Sequence, residues 1–213
     1  MGRKILLIGD GGHCRSVFDT VCKTGDYDEI GVIMRDVPDN SNVGMLPIVG
    51  CDADLPRLYE DGWKEAFITL GSIGNTDGRR RLFQFATKIG FLFPVIIDPS
   101  AVVADDVTFA EGIFVGKRAV INAGSRIGRD VIINTGAIIE HDCNIGDFAH
   151  ISSGAVVCGG VSIGEDAHIG AGSVIRQSIL IGTGALIGVG SVVVRNIPSH
   201  VTAYGSPCKV VGE

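Results

Sequence analysis

The densest set of proton-transferring groups in the chain lies in Ile138-Ile139-Glu140-His141-Asp142-Cys143. A histidine followed directly by an aspartate suits general-base work: the carboxylate accepts one imidazole N–H, fixes the tautomer and raises the basicity of the other nitrogen. His150 follows in Phe148-Ala149-His150, and His168 stands further on. A second candidate is Gly9-Asp10-Gly11-Gly12-His13, directly after the apolar run Ile5 to Ile8. The full dinucleotide pattern G-x-G-x-x-G is broken, because Cys14 stands where its last glycine would be. What remains is a strand-to-helix turn whose amides and positive helix end suit one phosphate group, with His13 and Arg15 beside it. A turn used only for packing is the competing reading.

These residues have to be positioned by elements, and the elements are legible as a repeat. From Val102 to Ile197 an aliphatic residue or Phe recurs at every sixth position through sixteen hexads, beginning Val103, Phe109, Val115 and ending Ile187, Val193. Period six fits neither an α-helix nor a simple alternating strand. It fits a coil of three short flat strands joined by tight turns, with one aliphatic of each strand pointing inward. One coil is then three hexads, so Gly159 stacks on His141 and Gly160 on Asp142, leaving a bare shelf beside the imidazole. By the same step His150 and His168 share one outward column. His141 lies two places past the inward Ile139, at a corner from which its side chain must project; a solvated surface histidine is the bland alternative. The histidine spacings supply no third ligand, so no metal is expected.

Residues 1 to about 95 read differently. Strands are expected at Lys4 to Gly9, Glu29 to Met34 and Ala66 to Leu70, with helices at Cys14 to Lys23 and around Arg79 to Ile89. This is a small parallel α/β unit, half of a Rossmann-like fold, and it suits one nucleotide better than two. Asp98-Pro99-Ser100 marks the join, dividing the chain into 1–97 and 98–213.

Composition narrows the function classes. A net charge of −6, with the densest cationic cluster only Arg79, Arg80 and Arg81, argues against a nucleic-acid surface. The 31 glycines are roughly twice ordinary usage and point to many backbone positions without room for a Cβ. No apolar run reaches the ~18 residues of a membrane span, and no signal-peptide pattern opens the chain. Six cysteines without any C-x-x-C fit neither a zinc site nor a disulfide framework, and a reducing cytoplasm is expected.

Taken in order, Ile8-Gly9-Asp10-Gly11-Gly12-His13, the strand ending at Asp36, Leu70-Gly71, Ile133-Asn134-Thr135, Ile139-Glu140-His141-Asp142-Cys143, His150-Ile151-Ser152 and Tyr204-Gly205-Ser206-Pro207 resemble the bacterial sugar O- and N-acyltransferases of the sialic-acid and bacillosamine type. The likeness is greatest to acetyl-CoA-dependent N-acetyltransferases of nucleotide-linked 4-amino-4,6-dideoxy sugars, and it covers essentially the whole chain. It implies a left-handed parallel β-helix, a homotrimer, and acetyl-CoA bound between neighbouring subunits. It implies that His141 is the catalytic base with Asp142 as partner, that Asn134 and His150 lie by the substrate amine or the thioester, and that Gly159 and Gly170 line the pantetheine groove. It further implies that Gly11, Gly12 and His13 meet the diphosphate, with Asp36 and Gly71 near the nucleoside. Many relatives carry two acidic residues where this chain has Arg35-Asp36, so uridine is favoured, with guanosine as the alternative. An O-acetyltransferase acting on sialic acid or an amino acid, and a nucleotide-sensing scaffold without catalysis, are the competing functions.

Overall fold

The computed structural model describes residues 2–35 and 46–212; Asp36 therefore lies outside the described residues. The chain divides into two compact units, Met1–Gly71 with Asp77–Pro94, and Ser72–Thr76 with Val95–Glu213.

The first unit is built on a four-stranded parallel sheet in the order β3-β2-β1-β4, from β1 (Lys4–Ile8), β2 (Glu29–Met34), β3 (Ile48–Cys51) and β4 (Glu65–Ile68). Ile5, Leu6, Leu7 and Ile8 are fully buried, as a central parallel strand covered on both faces requires. Helix α1 (Gly12–Thr24) buries Cys14, Val17 and Val21 and stops at Gly25, whose left-handed backbone (φ 68°) lets its N–H reach the Val21 carbonyl. Helices α2 (Leu55–Glu60) and α3 (Asp77–Ile89) complete the unit. The expected strands and helices lie within two residues of those observed, but β3 and α2 have no counterpart in the sequence reading. Both are short, β3 is only half-buried, and α2 carries a proline in its first turn, so neither writes a periodic apolar pattern.

The second unit is the coil that the hexads predict. Two-residue strands stack into three parallel sheets, and the register advances by one coil at each pairing: Ile138 opposite Val156, Asn144 opposite Ser162, His150 opposite His168. The sixth-residue column forms the core, with Val115, Ile133, Ile139, Ile151, Val157, Ile169 and Ile187 all at zero exposure. Each corner needs one left-handed residue, and these recur every sixth position from Gly112 to Gly190, as glycine or as residues such as Asp130, Asp142 and Asp166. An antiparallel pair, Thr202–Gly205 with Cys208–Gly212, closes one sheet.

This unit starts at Val95, before the expected division, because Ile96 and Ile97 already pair with Phe114 and Val115 as a first rung. It also takes in Ser72–Thr76. The Ser72 carbonyl accepts a hydrogen bond from His150, and the Thr76 hydroxyl donates to the Asp166 carboxylate. Among the described residues no helix is long and apolar enough to cross a membrane.

Candidate active site

The coil places His141 and Asp142 at the corner between its six-stranded and five-stranded sheets. His141 Nδ1 and Asp142 Oδ2 are 2.9 Å apart, with both side chains more than half exposed. Asp142 occupies the left-handed corner position (φ 58°), which turns its carboxylate back towards the preceding residue. Two glycines frame the pair on the neighbouring coils. A Cβ on Gly124 would come within 2.6 Å of Asp142 Oδ1, and one on Gly159 within 2.5 Å of His141 Nε2. The shelf expected over His141 is therefore occupied by the imidazole itself, lying on the bare backbone of the next coil. A carboxylate only accepts, so Nδ1 carries the proton and Nε2 presents its lone pair above Gly159. The Gly160 N–H is committed to the His141 carbonyl at 2.9 Å.

Asn134 and His150 are brought together on successive coils, one face away from His141. Asn134 Nδ2 and His150 Nε2 are 3.4 Å apart, His150 Nδ1 donates to the Ser72 carbonyl at 3.0 Å, and Asn134 Oδ1 accepts the Thr135 N–H at 2.8 Å. Gly170 stands two coils beyond Asn134 on the same corner, and a Cβ there would lie 2.6 Å from the backbone of Gly188. Its glycine is thus required by the coil's own stacking. His168 does share the outward column with His150, but it is buried, and burial lowers its pKa. Cys143 is inward and buried, its thiol pKa raised by burial, and its Sγ lies 3.3 Å from the Cys158 carbonyl.

In the first unit Gly11 is the N-cap of α1 and Gly12 its first residue, with no side-chain cap and no acidic residue in the first turn. Among the described residues a Cβ on either would meet nothing within 4 Å, so their packing does not demand glycine at these two positions. Gly9 is different: its φ is 117°, and a Cβ would press on Leu70. His13 adjoins Gly71, whose Cβ would lie 3.7 Å from that of His13. Beside this turn is a cleft of about 190 Å³ at the carboxyl ends of the strands, formed by Gly9 and Asp10 after β1, Arg35 after β2, Asp52, Leu70 after β4, and Gly78, Arg81 and Leu82 of α3. Strand order reverses beside β1, which is where open α/β sheets take ligands. Asp52, in the turn after β3, and Gly78 and Arg81 of α3 carry no sequence signal as site residues, since only tertiary folding brings them to the cleft. No group of three side chains suited to a metal ion exists among the described residues.

With this geometry in hand, the comparisons are specific. Residues 4–85 match the PglD N-terminal domain, and residues 142–177 match the bacterial transferase hexapeptide (six repeats). An H141N variant of perosamine N-acetyltransferase from Caulobacter crescentus, in complex with CoA and GDP-perosamine, is 36% identical, covering 99% of this chain and 97% of its own, with a TM-score of 0.91. The acetyltransferase domain of PglB from Neisseria gonorrhoeae FA1090, in complex with acetyl coenzyme A, is 34% identical over 99% of this chain and 100% of its own, with a TM-score of 0.90. WeeI from Acinetobacter baumannii AYE shares the fold at 24% identity, 98% and 100% coverage and a TM-score of 0.85. No curated protein sequence matches the chain.

Proposed function

Because the chain belongs to the bacterial sugar O/N-acyltransferases, acetyltransferases with an α/β domain and a left-handed β-helix, we propose that it transfers acetyl from acetyl-CoA to the 4-amino group of a nucleotide-linked 4-amino-4,6-dideoxy sugar. The observation that carries this reading is the His141–Asp142 pair, 2.9 Å apart, with the free imidazole nitrogen presented over Gly159. His141 Nε2 takes a proton from the sugar's neutral amine as the amine nitrogen attacks the thioester carbonyl. The oxyanion is held by the Gly159 N–H, the Gly160 N–H being already used. Collapse expels the CoA thiolate, to which His141 returns the proton, giving an amide and free thiol. Transfer is direct: Cys143, the thiol two residues from His141, points inward and its pKa is raised by burial.

A homotrimer is part of the proposal. His141 and the Asn134–His150 pair occupy successive corners of one coil, so an acetyl donor touching both needs a second copy of the chain. Gly11, Gly12 and His13 hold the diphosphate at the open start of α1, and the cleft of Arg35, Asp52 and Arg81 takes the nucleoside. That the Caulobacter enzyme holds CoA and GDP-perosamine together with its own histidine replaced by asparagine supports a ternary complex that forms without the base.

The test is thiol release from acetyl-CoA in the presence of UDP- and GDP-linked 4-amino sugars, run side by side. The reading predicts release with one or both and an N-acetylated product. Release only with hydroxyl acceptors would replace it with O-acetylation, and none with any acceptor would leave a scaffold.

A further inference from the structure

The outward column of the eight-stranded sheet reads Ile96, Phe114, Ile132, His150, His168 and Leu186 along the register. Ile96, Phe114, Ile132 and His168 are buried, His168 to 7% exposure. An aliphatic side chain at 168 would continue this column without loss of apolar contact. A buried imidazole instead carries a desolvation cost unless its nitrogens are used. Only one is used fully: Nε2 lies 3.2 Å from Ser152 Oγ, while Nδ1 makes no well-formed hydrogen bond among the described residues, the Ser72 carbonyl being near enough only to act weakly on the ring. Burial lowers the pKa of His168, opposed in part by the Ser72 carbonyl, so the ring is neutral near pH 7.

Its other neighbour explains the arrangement. The His168 and His150 rings meet edge to face, centroids 4.9 Å apart and planes at 87°. His150 is fixed on two further sides, by Nδ1 on the Ser72 carbonyl and by Asn134 Nδ2 at its Nε2. Since the Ser72 carbonyl accepts only, Nδ1 carries the proton and Nε2 accepts from Asn134, whose Oδ1 is held by the Thr135 N–H. Each group therefore has one orientation in which all these bonds are satisfied, and the third wall of the His150 ring is His168.

We propose that His168 is a positioning residue for acetyl transfer, holding the His150 ring, and through it the Asn134 amide, in the single orientation that meets the reacting groups. This rests on the reading above that Asn134 and His150 touch the thioester or amine. Ser152 is part of the device, because its hydroxyl sets the rotation of the His168 ring.

A double-mutant cycle tests it, with kcat, both KM values and the thermal midpoint measured on the intact protein. His168→Leu should lower kcat about tenfold, leave the KM for nucleotide sugar unchanged, and leave the midpoint equal or higher. His168→Gln, whose amide nitrogen can take the place of Nε2 opposite Ser152, should recover most of the rate. In a His150→Ala background His168→Leu should cost nothing further. An undiminished kcat for His168→Leu while His150→Ala is slow, or the same loss in both backgrounds, overturns the positioning role alone. A His150→Ala enzyme of full activity overturns both this role and the placement of His150 at the site.

Discussion

Glycine does opposite work in the two units. At the start of α1, Gly11 and Gly12 face open space, and among the described residues no packing atom lies within 4 Å of where a Cβ would stand. At the coil corners the same residue type is hemmed in: a Cβ on Gly146 would lie 2.5 Å from the Glu165 amide nitrogen, and one on Gly164 2.5 Å from that of Thr183. Coil glycines such as Gly146, Gly164, Gly170 and Gly182 exist because successive turns stack backbone on backbone, whereas others, such as Gly136 and Gly154, serve the left-handed corner. The α1 glycines have no such neighbour among the described residues, which agrees with the proposal that a diphosphate approaches the backbone there. Gly159 belongs to neither class, for what fills its missing side chain is the imidazole of His141.

The largest expected effect tests that third class. Gly159 has no left-handed backbone, so alanine is tolerated by the main chain, and the only conflict is with the exposed end of a flexible side chain. Gly159→Ala should therefore leave the thermal midpoint nearly unchanged while displacing the imidazole by the better part of an ångström. Misplacement on that scale costs on the order of 10²-fold in kcat, within the ~10²–10⁴-fold expected for His141→Ala. A Gly159→Ala enzyme with full turnover would show that Nε2 does not act from its position over the coil.

Gly146→Ala is the matching experiment on a packed corner. Its backbone is also compatible with alanine, but the obstacle is the main chain of Gly164 and Glu165, which can yield only by separating two coils. Overpacking of this kind costs roughly 1–3 kcal/mol, read as a lower midpoint in thermal or denaturant unfolding. Kinetic constants of the folded fraction should be close to those of the parent. If Gly146→Ala were as stable as the parent, the coils would be looser than their hydrogen-bonded register indicates, and the division between the two kinds of glycine would lose its basis.

How much of this could be read beforehand follows from the same distinction. The aliphatic column, the stacking of Gly159 on His141 and of His168 on His150 all follow from an exact period of six, which a chain can keep only if every coil has the same length. The pairing of Asp142 with His141 needs no more than adjacency. By contrast, the transfer of Ser72–Thr76 to the coil depends on hydrogen bonds made to His150 and Asp166, far away in sequence, and no local pattern announces them. The burial of His168 is hidden for the same reason, since its outward column gives no sign that anything covers it. Gly124 beneath the Asp142 carboxylate was predictable from the register, had the stack been followed downward as well as upward. Asp52 comes to the cleft from the turn after β3 and Arg81 from α3, by tertiary folding alone.

The smallest expected effect lies at the open glycines. Helix α1 begins with no capping side chain and no acidic residue in its first turn, an arrangement that favours an anion at that end. Gly12→Val puts a branched side chain into the space through which a diphosphate would approach, and since its Cβ meets nothing within 4 Å among the described residues, the thermal midpoint should stay within a few degrees of the parent. The KM for nucleotide sugar should rise about tenfold, the loss of one or two backbone-to-phosphate hydrogen bonds, while the KM for acetyl-CoA and kcat at saturation hold steady. That split matters more than the size of the change: a binding loop moves one KM, whereas a structural turn moves the midpoint. Equal increases in both KM values would mean that Gly12 supports the fold at large, and no change in either would put the diphosphate elsewhere, with the cleft of Arg35 and Arg81 the next place to test by the same assay.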